Sequence, residues 1–172
     1  MASGNTLCQL TPMDNTPPAA NYATFDVLVG ASTPTEAFPF LAFDDTTVEY
    51  ADFHCTLPRN YAGGGITIQF GWSSGATTNT AVLSAAIRRE PDDAEDLDST
   101  AFTYDYNNTG ALTPASNAGE KVYDTLTFTD GADMDSLAVG EDFVLRVRRV
   151  PTDGSDTLVG DLRLHSIEVK ET

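Results

Sequence analysis

The stretch GITIQFGW, Gly65 to Trp72, decides the fold. Ile66, Ile68, Phe70 and Trp72 fall on one side of it, and Thr67, Gln69 and Gly71 on the other. A period of two is that of a pleated strand with one face buried; a helix would place its apolar residues three and four apart. The same alternation recurs in both directions. Upstream, YATFDVLVG aligns Ala23, Phe25, Val27 and Val29, EAFPFLAF aligns Phe38, Phe40 and Ala42, and TVEYADFHCTL aligns Ala51, Phe53, Cys55 and Leu57. Pro39 cannot donate to a ladder, so its strand is expected at an edge or a bulge. Downstream, AVLSAAIRR turns Ala81, Leu83, Ala85 and Ile87 inward, and EDFVLRVRR buries Phe143, Leu145 and Val147 while exposing Val144, Arg146 and Arg148.

Further strands are expected in AFTYDY, with aromatics Phe102, Tyr104 and Tyr106, and in the threonine-rich KVYDTLTFTD. In DLRLHSIEVK the parity slips: Leu162 and Leu164 share one phase, Ile167 and Val169 the other, and a bulge near His165 or Ser166 reconciles them. Turn-rich loops separate the segments, among them Gly63-Gly64-Gly65. GADMDSLAVGE fits one helical turn, and Asp153-Gly154 reads as a hairpin-like connection. No stretch of ten residues carries a helical stripe. Eight or nine short strands predict an all-β antiparallel sandwich, jelly-roll-like, over residues 21–172.

Residues 1–20 carry three prolines and no period, and are expected to form an extended arm. Leu7, Leu10 and Met13 are its candidate docking residues, against its own domain or a neighbour.

The chain has 172 residues, 26 acidic and 9 basic, for a net charge of −17. Such a surface repels phosphate backbones and anionic membranes, so neither nucleic acid nor a membrane is an expected partner. No run approaches the length of a bilayer span, and the N-terminus shows no basic and apolar leader; a soluble chain made in the cytoplasm is expected. Five of the nine basic residues follow position 145, so acidic early strands and a basic late strand are expected to pair across a sheet. The two cysteines, Cys8 and Cys55, are read as free thiols.

No catalytic residue and no enzyme is expected. Only His54 and His165 are available as bases, and no HExxH, P-loop, GxSxG or CxxC motif occurs. No cofactor is expected either. The best place for a cation such as calcium is the acidic loop Glu90 to Asp98, with six carboxylates in nine residues, and Asp130 to Asp135 is a second; the plainer reading is a solvated loop. Trp72 shares a phase with core residues, so Tyr104 and Tyr106 are the better exposed aromatics for a partner or a sugar.

Two segments, FHCTLPRNYAGGGITIQFGW (53–72) and TLTFTDGADMDSLAVGEDFVLRVRR (125–149), with the closing LHSIEVKET, resemble small structural proteins of tailed bacteriophages and prophages. The resemblance implies a capsid decoration or auxiliary protein on the virion surface, a homo-oligomer with a trimer favoured, bound to the major capsid protein or another virion protein. The alternative is a receptor- or glycan-binding sandwich module of a tail fibre or spike, for which Tyr104 and Tyr106 would supply the contact.

Overall fold

In the computed structural model, which describes residues 4–101 and 103–172, the deciding stretch lies in a strand at the heart of the fold. Among the described residues there are ten strands: β1 (Thr6–Leu10), β2 (Thr24–Val29), β3 (Ala37–Phe43), β4 (Tyr50–Thr56), β5 (Ile66–Ser74), β6 (Leu83–Glu90), β7 (Asn107–Asn108), β8 (Val122–Phe128), β9 (Asp142–Arg149) and β10 (Leu162–Glu171). They form two antiparallel sheets. The first runs β2-β3-β10-β5-β8, with β1 also on β10; the second runs β4-β9-β6-β7. The expected jelly-roll-like sandwich is the fold.

The core fills the space between the sheets. Ile66, Ile68, Phe70 and Trp72 of β5 are fully buried, and the second sheet contributes Ala51, Phe53, Ala85, Ile87, Leu145 and Val147 to the same cluster. Each large side chain of this kind contributes about 1.5–3 kcal/mol through burial. The Trp72 indole N–H donates to Asp124 Oδ2 on β8 at 2.8 Å, so its polar atom costs nothing. The chain enters β5 through Gly65, whose φ is +99°. A Cβ there would strike the Phe128 carbonyl, so only glycine fits.

The parity slip in the last strand is a bulge. Leu164 faces Trp72 and Ser166 faces Gly71, leaving His165 as the extra residue. Leu162, Leu164, Ile167 and Val169 all reach the core as a result. The His165 ring is held by two bonds: Nδ1–H donates to the Pro39 carbonyl at 3.3 Å, and Nε2 accepts from the Ser73 hydroxyl at 2.8 Å. This also explains Pro39. β3 pairs with β10 only through Leu41 to Phe43, so Pro39 lies just past the ladder, where no N–H is needed. β3 is therefore an inner strand, and β2 is the edge. On this edge strand Phe25, Val27 and Val29 are exposed although their phase is that of the core.

Two expectations about connections are corrected. AFTYDY forms no strand among its described residues; pairing begins only at Asn107, and Phe102 lies outside the described residues. The Asp153-Gly154 segment is not a hairpin, since β9 and β10 belong to different sheets. What shapes this arch is Arg149, at the end of β9 and fully buried. Its Nε and Nη2 donate to both oxygens of Asp156 at 3.0 and 2.8 Å. The remaining donors reach the carbonyls of Phe43, Leu158 and Gly160. Asp156 in turn accepts from the Val82 N–H. Every part of the guanidinium is bonded, which is the condition for burying a charge. The expected helical turn is a short 3₁₀ turn, Ala132–Met134, with Met134 buried.

Residues 6–10 lie in the first sheet as β1, along the C-terminal half of β10. Leu10 is buried opposite Ile167, Leu7 packs against the core, and Met13, on a 3₁₀ turn of Pro12–Asp14, is exposed.

Arg149→Ala leaves the Asp156 carboxylate uncompensated in the interior and is expected to cost about 3–5 kcal/mol, read by urea unfolding; a loss below about 1 kcal/mol contradicts the role assigned to the pair. Burial, with Lys121 and Arg163 nearby, lowers the His165 pKa below its ordinary value, against the opposing effect of its bond to Pro39. The unfolded chain then binds the proton first, so stability falls as pH drops through about 6.5 and below. The melting temperature of the native protein should decline across that window more steeply than that of His165→Gln.

Candidate functional site

The outer face of the second sheet is built by pleat and register. On β4 the residues alternating with the core are Tyr50, Asp52, His54 and Thr56. They lie opposite Arg148, Arg146, Val144 and Asp142 of β9. Those in turn lie opposite Ser84, Ala86, Arg88 and Glu90 of β6. Four rows result, Tyr-Arg-Ser, Asp-Arg-Ala, His-Val-Arg and Thr-Asp-Glu, of which Asp52, Ser84, Ala86, Arg88 and Val144 are buried, Val144 against expectation, while His54, Thr56 and Asp142 stay exposed. Across β4 and the basic β9 one opposite-charge pair forms, Asp52 with Arg146.

Tyr104 and Tyr106 lie over this face. Their rings stand 6.1 Å apart at 34°. The Arg146 guanidinium is 4.0 Å from the Tyr104 ring and 5.5 Å from that of Tyr50, and Arg148 is 3.6 Å from the ring of Tyr106. These are cation–π distances, and they replace the strand pairing that the alternation of AFTYDY suggested. Arg146 is fixed in turn by Asp52, to which Nε and Nη2 each donate at 2.6 Å. Such a two-pronged bond sets the plane of the guanidinium and so the plane of the ring above it. The Asp52 bond raises the Arg146 pKa further, and burial raises that of the Tyr106 hydroxyl, so both keep their protons at neutral pH. Arg148 Nε reaches Ser84 Oγ at 3.4 Å.

At the far end of the face His54, Thr56, Glu90 and Asp142 line a cleft of about 240 Å³. His54 Nδ1 stands 3.8 Å from Glu90 Oε2. The face thus joins half-buried tyrosine rings at one end to carboxylates, an imidazole and a hydroxyl at the other. Flat apolar surface beside convergent donors and acceptors can hold a molecule with both apolar and hydroxylated faces.

Of the residues singled out in the sequence, Tyr104 and Tyr106 are brought together here. Leu7, Leu10 and Met13 are not; they belong to the N-terminal segment described above. In the loop Glu90 to Asp98, Glu90 and Glu95 pair with Arg88 at 2.8 and 3.0 Å. The second acidic stretch spends its carboxylates within the fold: Asp133 accepts from the Thr129 N–H and the Asn107 side-chain amide, and Asp135 from the Arg89 N–H. Among the described residues no three His, Cys, Asp or Glu side chains gather as a metal would need. The sequence reading missed Tyr50, Asp52, Arg146 and Arg148 as a unit. Each lies in the outward phase of its strand, but only the β4–β9 register brings them together.

The sequence matches no family model and no curated protein. Its fold is similar to that of carbohydrate-binding modules. The first xylan-binding CBM22 domain of Xyn10C from Paenibacillus barcinonensis superposes with a TM-score of 0.52 at 10% identity, over 99% of this chain and 97% of that one. The tandem of that enzyme's two CBM22 domains gives 0.50 at 13% identity, over 100% of this chain and 51% of the tandem. These likenesses correct the phage reading. The virion structural family, the capsid decoration role, the trimer, the major capsid protein as partner and the virion location are all withdrawn with it.

Asp52→Ala removes the brace under Arg146. It is expected to cost about 2 kcal/mol in chemical denaturation and to weaken the near-ultraviolet dichroism of the tyrosines, while Asp45→Ala, outside this face, leaves the tyrosine signal unchanged.

Proposed function

We propose that the chain is a carbohydrate-binding module whose ligand lies on the outer face of the second sheet. The observation that carries the reading is the pair of tyrosines, Tyr104 and Tyr106, held in fixed planes by Arg146 and Arg148 over a row of hydrogen-bonding side chains. A pyranose presents an apolar C–H face that packs on such rings, and its hydroxyls bond to groups such as His54, Glu90 and Asp142. The architecture shared with xylan-binding domains supports this class of ligand, and xylan fragments are the first to try. Fixed rings and paired charges lose little freedom on binding, which favours affinity from a small contact.

The test is calorimetric titration with xylo-oligosaccharides, extended to an array of other neutral and acidic glycans. Native protein is expected to bind at least one of them. Tyr104→Ala and Tyr106→Ala should each weaken binding about tenfold or more, the scale of one lost aromatic anchor. Exposed Tyr123, on β8 of the other sheet, serves as the control, and Tyr123→Ala should bind as the native chain does. Binding that survives loss of both Tyr104 and Tyr106 would place the ligand elsewhere, and an array without a ligand would end the carbohydrate reading.

A further inference from the structure

Cys8 and Cys55 are 47 positions apart in the chain and on different sheets, yet the fold places both on one edge of the sandwich. Cys8 lies opposite Val169 on β10, and Cys55 opposite Phe143 on β9. Val169 and Phe143 are both core residues, so the pleat directs both thiols into the space between the sheets. An irregularity in β1 between Thr6 and Cys8 sets the phase of Cys8. Both strands are laterally marginal: β4 is the edge of its sheet, and β1 hangs on β10 beyond the main strand order. The chain itself closes this edge. After β1 it turns at Pro12–Asp14 and crosses to the other sheet, where Asn15 bridges Phe53 and Thr16 N–H donates to Asp52 O at 2.8 Å. Both thiols are half-buried against the core along this edge, and each perturbs the titration of the other, as neighbours do.

We propose that Cys8 and Cys55 are a redox site: they close to a disulfide that locks the N-terminal strand across the open edge of the sandwich. The bond needs a two-electron acceptor, and a low-molecular-weight disulfide such as oxidised glutathione supplies it. The Cys55 thiolate attacks one glutathione sulfur, and the other glutathione leaves as a thiolate that takes up a proton. Cys8 then gives up its proton and attacks Cys55 Sγ, expelling the second glutathione. Two cysteine thiols are oxidised and one small disulfide is reduced to two thiols. The order follows from their mutual influence: Cys8 beside it lowers the Cys55 pKa, while Cys55 and burial push that of Cys8 up, so Cys55 is the more acidic. Two facing edge strands that turn both side chains inward let the sulfurs approach to the bonding distance of about 2 Å.

The full chain is equilibrated in oxidised or in reduced glutathione, alkylated without reduction, digested and weighed. The oxidised sample should yield one peptide pair joined through Cys8 and Cys55, two hydrogens lighter than the sum of its parts, with neither cysteine alkylated. Because the bond closes a loop of nearly fifty residues, its melting temperature should exceed that of the reduced sample by about 8 °C or more. Cys8→Ser, measured alongside, should melt alike in both buffers. Two fully alkylated cysteines after oxidation, a stable glutathione adduct on Cys55, or a cross-link that leaves melting unchanged would each overturn the proposal. The comparison of oxidised with reduced native chain requires no variant to fold.

Discussion

The guanidinium of Arg149 is the point at which the two sheets become one body. It leaves β9 in the second sheet, reaches the end of β3 in the first, and bonds the arch between β9 and β10 through Asp156, Leu158 and Gly160. Through Asp156 it also fixes the start of β6. A buried charge tolerates few geometries, because any arrangement that leaves a donor unmet is costly. The packing of Ile66 to Trp72 is stronger in sum, but apolar contacts are forgiving in direction. The arginine specifies; the core stabilises. The arch it shapes delivers β10 back to the first sheet in the register that the His165 bulge then adjusts.

The same logic of directed charge recurs on the outer face of the second sheet. Three arginines, Arg88, Arg146 and Arg148, lie side by side on a strongly acidic protein, and each is engaged with a carboxylate, a hydroxyl or an aromatic ring. Their work is to orient other groups rather than to present positive charge. The tyrosine rings are held by cations that carboxylates hold in turn, and this layered arrangement makes the face a candidate for recognition.

Much of the architecture was legible because each strand announces its own pleat. GITIQFGW and EDFVLRVRR state which residues face inward, and the slip at LHSIE even locates a bulge. Alternation is a local signal, however, and carries no information on partners. It therefore gave AFTYDY the look of a strand, when Tyr104 and Tyr106 are kept from the ladder by arginines over 40 residues away. It gave β2 the look of a buried strand, because which strand lies at an edge depends on pairing that the alternation does not encode. The tyrosines were visible as candidates, but Tyr50, Asp52, Arg146 and Arg148 become a site only through a register between β4 and β9. The virion reading failed for a related reason: segment resemblance without a motif carries no geometry, and the architecture shared with xylan-binding domains speaks against it.

The arrangement of β10 has a consequence for how the chain is made. This strand is flanked on one side by β5 and on the other by β3 along its first residues and β1 along its last. Thr6 finds its partner only at Lys170. On the ribosome, synthesis proceeds at roughly 5–20 residues per second, so the earliest strand waits many seconds for the latest. During that interval β1 and the β2–β3 hairpin have no centre to join, and the first sheet cannot close before β10 has been made. The second sheet needs no residue beyond β9, so its strands are all available one strand earlier.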